Sequence, residues 1–377
     1  MRIPLFRRAS LLVALCSAAT VLPAHAQTWS LQRLGPVIVT ALSADGKAAA
    51  GNMPDTWETF RWTARTGVTR LGRGTMVPLG HRSGIPSISS DGQVVSATIL
   101  SDDGTYSTAG RWSVSGGWTM LAPPLPPGGG QLDGEDSSSF GMSPDGRVVT
   151  GLHWRPGQPG GSAHAMAWSA ASGMLDLGSS GGSSRIDAAN ADGSVLVGWD
   201  EHPSFGNRRA AVWVGGVRTV LEDSDWPSEA SAINTAGTVI VGQTADSNNN
   251  FQMSATMWTW NGAGWTKTIL GVMDKRGKRN GTAYPEAVSD DGSIVVGTAR
   301  LDASSPQSVG FIWTAGGGMQ QAPDWLAAQG LSLGPLSKLI DVTAVTGDGK
   351  VMAAVTQDAI APYTMRSLLI KRQNAGQ

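Results

Sequence analysis

The sequence predicts an all-β chain bent into a seven-bladed β-propeller of four-stranded antiparallel blades, with the last blade closed by the N-terminal strand. Three observations predict it. A turn of the form Ser-x-Asp-Gly recurs about every 50 residues, a β-branched run and then a tryptophan strand follow each turn, and the two chain ends carry complementary fragments of the repeat.

The turns are Ser43-Ala44-Asp45-Gly46, Ser89-Ser90-Asp91-Gly92, Ser143-Pro144-Asp145-Gly146, Asn190-Ala191-Asp192-Gly193, Ser289-Asp290-Asp291-Gly292 and Thr346-Gly347-Asp348-Gly349. Asn234-Thr235-Ala236-Gly237 is a seventh copy that lacks the aspartate. Asp-Gly suits a hairpin turn because glycine takes positive φ without a Cβ clash and Asp tolerates its neighbour's geometry. After each turn a strand runs to Gly51, Ala97, Gly151, Gly198, Gly242, Gly297 or Ala354. A third strand holds Trp62, Trp112, Trp168, Trp213, Trp258 or Trp313, with Phe60, Met166 and Phe311 on the same face under period-2 alternation. A fourth follows a glycine, as in Gly173-Met174-Leu175-Asp176-Leu177. The apolar run before each turn, such as Val37 to Leu42, is the first strand.

The ends decide between a ring and an open stack. Residues 29–35 have the form of a fourth strand with no unit before them, and the last unit, from 340 to 371, has three strands. Pairing the two closes the circle and leaves only short sheet edges.

Arg2, Arg7 and Arg8, an apolar run from Leu11 to Leu15 and the Ala24-His25-Ala26 site read as a secretory signal peptide over 1–26, leaving a propeller over 27–377. The one cysteine, Cys16, leaves with the leader, so no disulfide framework is expected. The mature protein is expected outside the cytoplasm, in the periplasm or medium, as a monomer with no membrane span. With 15% charged residues and 28 Lys+Arg against 29 Asp+Glu, the chain is neither a charged disordered tail nor a nucleic-acid binder.

The runs Ala163-His164-Ala165-Met166-Ala167-Trp168 through Gly173-Met174-Leu175-Asp176-Leu177-Gly178 and Gly310-Phe311-Ile312-Trp313 through Gly318-Met319 resemble the probable extracellular HAF repeat family of bacteria. The resemblance covers nearly the whole mature chain. It implies an exported repeat protein with no assigned reaction.

Function is expected on one rim. The first-to-second and third-to-fourth turns share one face and barely vary, while the second-to-third loops and interblade connections share the other and differ in length. Variable loops on a rigid scaffold are where binding residues concentrate. The repeated aspartates and the strand tryptophans are read as turn chemistry and core packing, since repetition in every blade keeps them apart. The residues that do not repeat are Trp57, then His153, Trp154 and Arg155, then Trp199, Asp200, Glu201 and His202, all read as belonging to second-to-third loops. Indole rings offer platforms for sugars, with carboxylates and imidazoles to bond hydroxyls; alternatively, these tryptophans cover the sheet ends. Lys275, Arg276, Lys278 and Arg279 form a second candidate, for anions of an envelope polymer.

Catalytic signatures are weak. Gly178 to Gly182 matches G-x-S-x-G by accident in a Gly/Ser stretch, and Asp246 to Asn250 lacks the glycine and glutamate of a calcium loop. No H-E-x-x-H or Walker loop is present, and no cofactor or metal is expected. The sequence therefore supports a binding or scaffold propeller for a glycan or envelope component. An extracellular polysaccharide hydrolase or lyase using His153, Asp200, Glu201 and His202 is the alternative.

Overall fold

Each repeated turn is built by its first residue. The Ser43 hydroxyl donates to Asp45 Oδ1 at 2.8 Å and accepts the Ala48 amide at 2.9 Å, while Asp45 accepts the Lys47 amide. The same bonds recur at Ser89, Ser143, Ser289 and Thr346. In the copy without aspartate, Asn234 accepts the Thr238 and Val239 amides instead.

The turns join the first two strands of seven four-stranded antiparallel blades, in a computed structural model that describes residues 28–73, 84–121, 135–155, 162–273, 280–360 and 363–373. In chain order the blades occupy 38–70, 87–120, 137–176, 184–220, 228–271, 282–321 and 337–372. Trp29–Gly35 pairs with the strand Met365–Arg372, from Trp29 opposite Arg372 to Gly35 opposite Ser367, and completes blade 7. The expected closure is thus observed. First strands line a central channel and fourth strands face outward.

The tryptophans pack between blades. Trp62 of blade 1 shares a hydrophobic cluster with Val351 and Ala353 of blade 7, Trp213 of blade 4 with Ala165 and Ala167 of blade 3, and Trp258 of blade 5 with Val197 of blade 4. Burying such a side chain contributes on the order of 3 kcal/mol. Backbone bonds stitch the turn rim as well: Ala44 donates to Ser90, Ser90 to Pro144, Asp145 to Ala191, Ala191 to Thr235 and Asp290 to Gly347.

In five of the seven blades the second strand carries a glycine for a structural reason. A Cβ on Gly51, Gly151, Gly198, Gly242 or Gly297 would lie about 2 Å from the carbonyl oxygen of Ile38, Ser138, Arg185, Glu229 or Tyr284 in the first strand. At that point the first strand carries a β-bulge, which places one extra residue: Thr40, Phe140, Asp187, Ser231 or Glu286. All five of these residues line the channel.

The one α-helix among the described residues, Ala322–Ala328, packs Leu326 against Leu339 and Leu368 of blade 7, and Trp325 meets Trp29 edge-on at 4.9 Å. Gln321 occupies the N-cap without a side-chain bond, and Asp324 sits inside the first turn. Among the described residues, no helix is long and apolar enough to cross a membrane.

Candidate functional site at the channel mouth

First strands run from the interblade connections to the Asp-Gly turns, so their opening residues face the rim of variable loops. Around that mouth lies a cavity of about 610 Å³, whose lining includes Trp57, Arg185, Asp187, Glu229, Tyr284, Glu286 and Asp341. Arg185 holds one side of it. Its guanidinium donates to Asp187 at 2.7 Å and to Glu229 at 2.6 Å, and lies 4.1 Å from the Phe140 ring centroid. Arg208 reaches Glu229 from the rim at 3.0 Å. Burial pushes the Asp187 carboxyl up to about 7 against the pull of Arg185.

The other side carries acids with no ion pair among the described residues. Burial holds the Glu286 carboxyl well above the usual range, and the neighbouring Asp341 carboxyl pushes it further the same way. Asp341 is itself pushed by burial to about 6. Two neighbouring, largely desolvated carboxyl groups cannot both ionise cheaply, so the pair keeps a proton to near-neutral pH.

The rim outside the channel is aromatic. Among the described residues, Phe205, Trp226, Phe251, Trp260 and Tyr363 are the exposed aromatic side chains. Four of them, all but Trp260, belong to second-to-third loops or an interblade connection, on the variable rim. Trp226 and Phe251 stack on each other with centroids 4.0 Å apart.

The residues singled out from sequence divide into three groups. Trp57 lies in a second-to-third loop with φ 57° and lines the channel mouth. Trp199, Asp200 and Glu201 lie inside the second strand of blade 4, Val195–Glu201, which corrects their placement in a loop. Trp199 is buried beneath the guanidinium groups of Arg185 and Arg208, and its indole offers no platform. Asp200 has no exposed surface; it accepts the Ser180 amide at 2.8 Å and pairs with Arg209 at 3.3 Å and Arg218 at 3.2 Å. Glu201 accepts the Ser183 amide, and His202 accepts the Ser204 amide and packs on Phe205. These groups fasten the top of blade 4 and do not meet His153, so no acid and base converge there. His153 and Trp154 also end a strand, Val148–Trp154, with Arg155 just beyond it; His153 and Arg155 gather at Asp176 with His164. Lys275, Arg276, Lys278 and Arg279 lie outside the described residues.

Sequence reasoning missed the channel acids and the Trp226–Phe251 stack. The signal was present as charges interrupting otherwise apolar first strands: Arg185 and Asp187 about Ile186, then Glu229, Glu286 and Asp341 at comparable distances before their turns.

No protein-family model matches the chain, and no curated protein matches it. The β-propeller domain of the trilobed protease from Pyrococcus furiosus is similar in structure, with a TM-score of 0.56 at 10% identity over 91% of this chain and 99% of that one. The propeller domain of Cps50 (Swd1) from Myceliophteria thermophila gives 0.52 at 11% identity over 91% and 99%. TolB from Acinetobacter baumannii, 18% identical, gives 0.41, and the matched region is 62% of this chain and 54% of that one. At these identities the likeness is one of fold: the chain is a β-propeller similar in architecture to the two propeller domains.

Proposed function

We propose that this chain is an exported binding propeller of the HAF-repeat type that takes a glycan or cell-envelope component at the variable-loop mouth of its channel. The observation that carries the reading is the setting of four exposed aromatic residues, Phe205, Trp226, Phe251 and Tyr363, on the rim around a mouth lined by Arg185, Glu229, Glu286 and Asp341. Aromatic faces pack against the C–H faces of sugar rings, while carboxyl and guanidinium groups bond hydroxyls and fix orientation. The test is titration of the purified protein with peptidoglycan, lipopolysaccharide and plant polysaccharides, followed by tryptophan fluorescence and reducing-end release. Quenching without product is expected, and Trp226→Ala and Glu286→Gln should each weaken the interaction about tenfold. Absence of any saturable change with all three polymers would overturn the proposal.

The Glu286–Asp341 pair favours one other reading, a polysaccharide hydrolase or lyase. A proton retained near neutral pH is what a general acid needs, and the partner carboxylate supplies a base. Release of reducing ends, abolished by Glu286→Gln, would favour this reading over simple binding.

A further inference from the structure

A second cluster stands on the same rim, away from the channel, where three strands of blade 3 end. His153 is next to last in the second strand, Val148–Trp154; His164 is second in the third, Ala163–Ser169; Asp176 closes the fourth, Gly173–Asp176. The register aligns them. His153 pairs with His164, and Asp176 pairs with Met166, two residues beyond His164, so all three side chains leave the same side of the sheet. His164 Nδ1 lies 2.8 Å from Asp176 Oδ1, and His153 Nε2 lies 3.6 Å from Asp176 Oδ2. One donor atom from each of the three falls within 4.8 Å of the others. The carboxylate is fixed from behind by the Gly178 amide, which donates to Oδ1 at 2.8 Å. His153 Nε2 is shut off from solvent and makes no hydrogen bond, although it points at the carboxylate. A buried ring nitrogen that lacks a close hydrogen bond costs free energy, and a ligand there would relieve it.

We propose that His153, His164 and Asp176 form a site for Zn²⁺, with the remaining coordination position open to water or an outside ligand. Two imidazoles and one carboxylate are a borderline donor set that suits zinc, and nitrogen donors select against calcium and magnesium. Three protein ligands leave the fourth tetrahedral position free, as in sites that bind or activate a small molecule. Arg155 also pairs with Asp176 and must swing aside when the metal enters. Its side chain is 42% exposed, so it can turn to solvent at small cost. The site is independent of the channel, since none of its three ligands lines that cavity.

The test uses the untagged mature chain, stripped with a chelator and titrated with zinc by calorimetry, with cobalt as an absorbing substitute. The wild type is expected to take up one equivalent, to gain a few degrees in Tm, and to show the visible bands of low-coordinate cobalt. His164→Ala and Asp176→Asn, which replace partly exposed side chains, are expected to weaken uptake at least about tenfold while melting cooperatively without metal. His202→Ala should leave uptake unchanged. No zinc uptake by the wild type, or equal uptake by His164→Ala and Asp176→Asn, overturns the proposal, and so does loss of uptake in His202→Ala.

Discussion

Glu286 and Asp341 face one channel from neighbouring blades, and the carboxyl of Asp341 helps hold that of Glu286 protonated above the ordinary range. The native state therefore binds more protons here than the unfolded chain does once pH exceeds about 4. Stability falls as pH rises through that window, because the raised groups must be ionised against burial. Asp136, pushed to about 6 by burial, acts with the same sign.

The melting temperature is thus expected to be higher at pH 5 than at pH 8, and Glu286→Gln should flatten the decline and melt above the wild type at pH 8. Calorimetric melts of both proteins across this range check it; a wild-type Tm that climbs from pH 5 to pH 8 contradicts the assignment. At the acid end the sign reverses for Asp176. Despite its partial burial, the Gly178 amide, His164 and Arg155 hold it at about 2, so its contribution is complete above about 4 and is lost as pH falls through the lower value.

Gly198 and Gly264 separate steric need from composition. A Cβ on Gly198 would lie 2.0 Å from the Arg185 carbonyl oxygen, whereas one on Gly264 would meet nothing within 4 Å. Gly198→Ala is expected to destabilise by about 3 kcal/mol or more, as backbone overlap forces the bulge apart. Gly264→Ala should change stability by less than about 1 kcal/mol. Urea unfolding of the two variants gives the comparison.

Asp200 offers a test of structure against binding. It is buried between Arg209 and Arg218, and Asp200→Ala strands their charges, costing about 3 to 5 kcal/mol. Polymer binding by the folded fraction at low temperature should equal that of the wild type. A selective loss of binding at unchanged Tm would restore Asp200 to the site.

The closing strand is the remaining test. Removing residues 27–35 exposes the edge Met365–Arg372 and strips Trp29 from Trp325, so the truncated chain should melt lower and self-associate in size-exclusion chromatography. A monomeric truncation with the wild-type Tm would mean that blade 7 is stable with three strands.

The ring was legible because its cause repeats. The turn bonds of Ser43, Asp45 and Gly46 recur in nearly every unit, and the closure could be matched from Trp29 to Arg372 because the two fragments add to one blade. The separation of the Asp-Gly turns from the variable loops onto opposite rims was legible too, from loop lengths. The individual site residues were less so, since Trp199 follows a glycine as a loop residue would, yet the strand continues through it to Glu201. Whether a side chain meets solvent depends on Arg185 and Arg208, which come from other strands. Asp187 and Glu286 stood in the open as charges in apolar runs, but only the bulge opposite Gly198 and Gly297 accounts for where they lie.

The backbone bonds from Ala44 to Ser90, Ser90 to Pro144 and onward around the turn rim give the wheel a stiff floor. Insertions between Trp57 and Thr59, or beyond His202, fall on the opposite rim and need not disturb that floor. Evolution, or a protein engineer, can lengthen and exchange those upper loops as freely as an antibody exchanges its hypervariable segments, without renegotiating how the spokes are held.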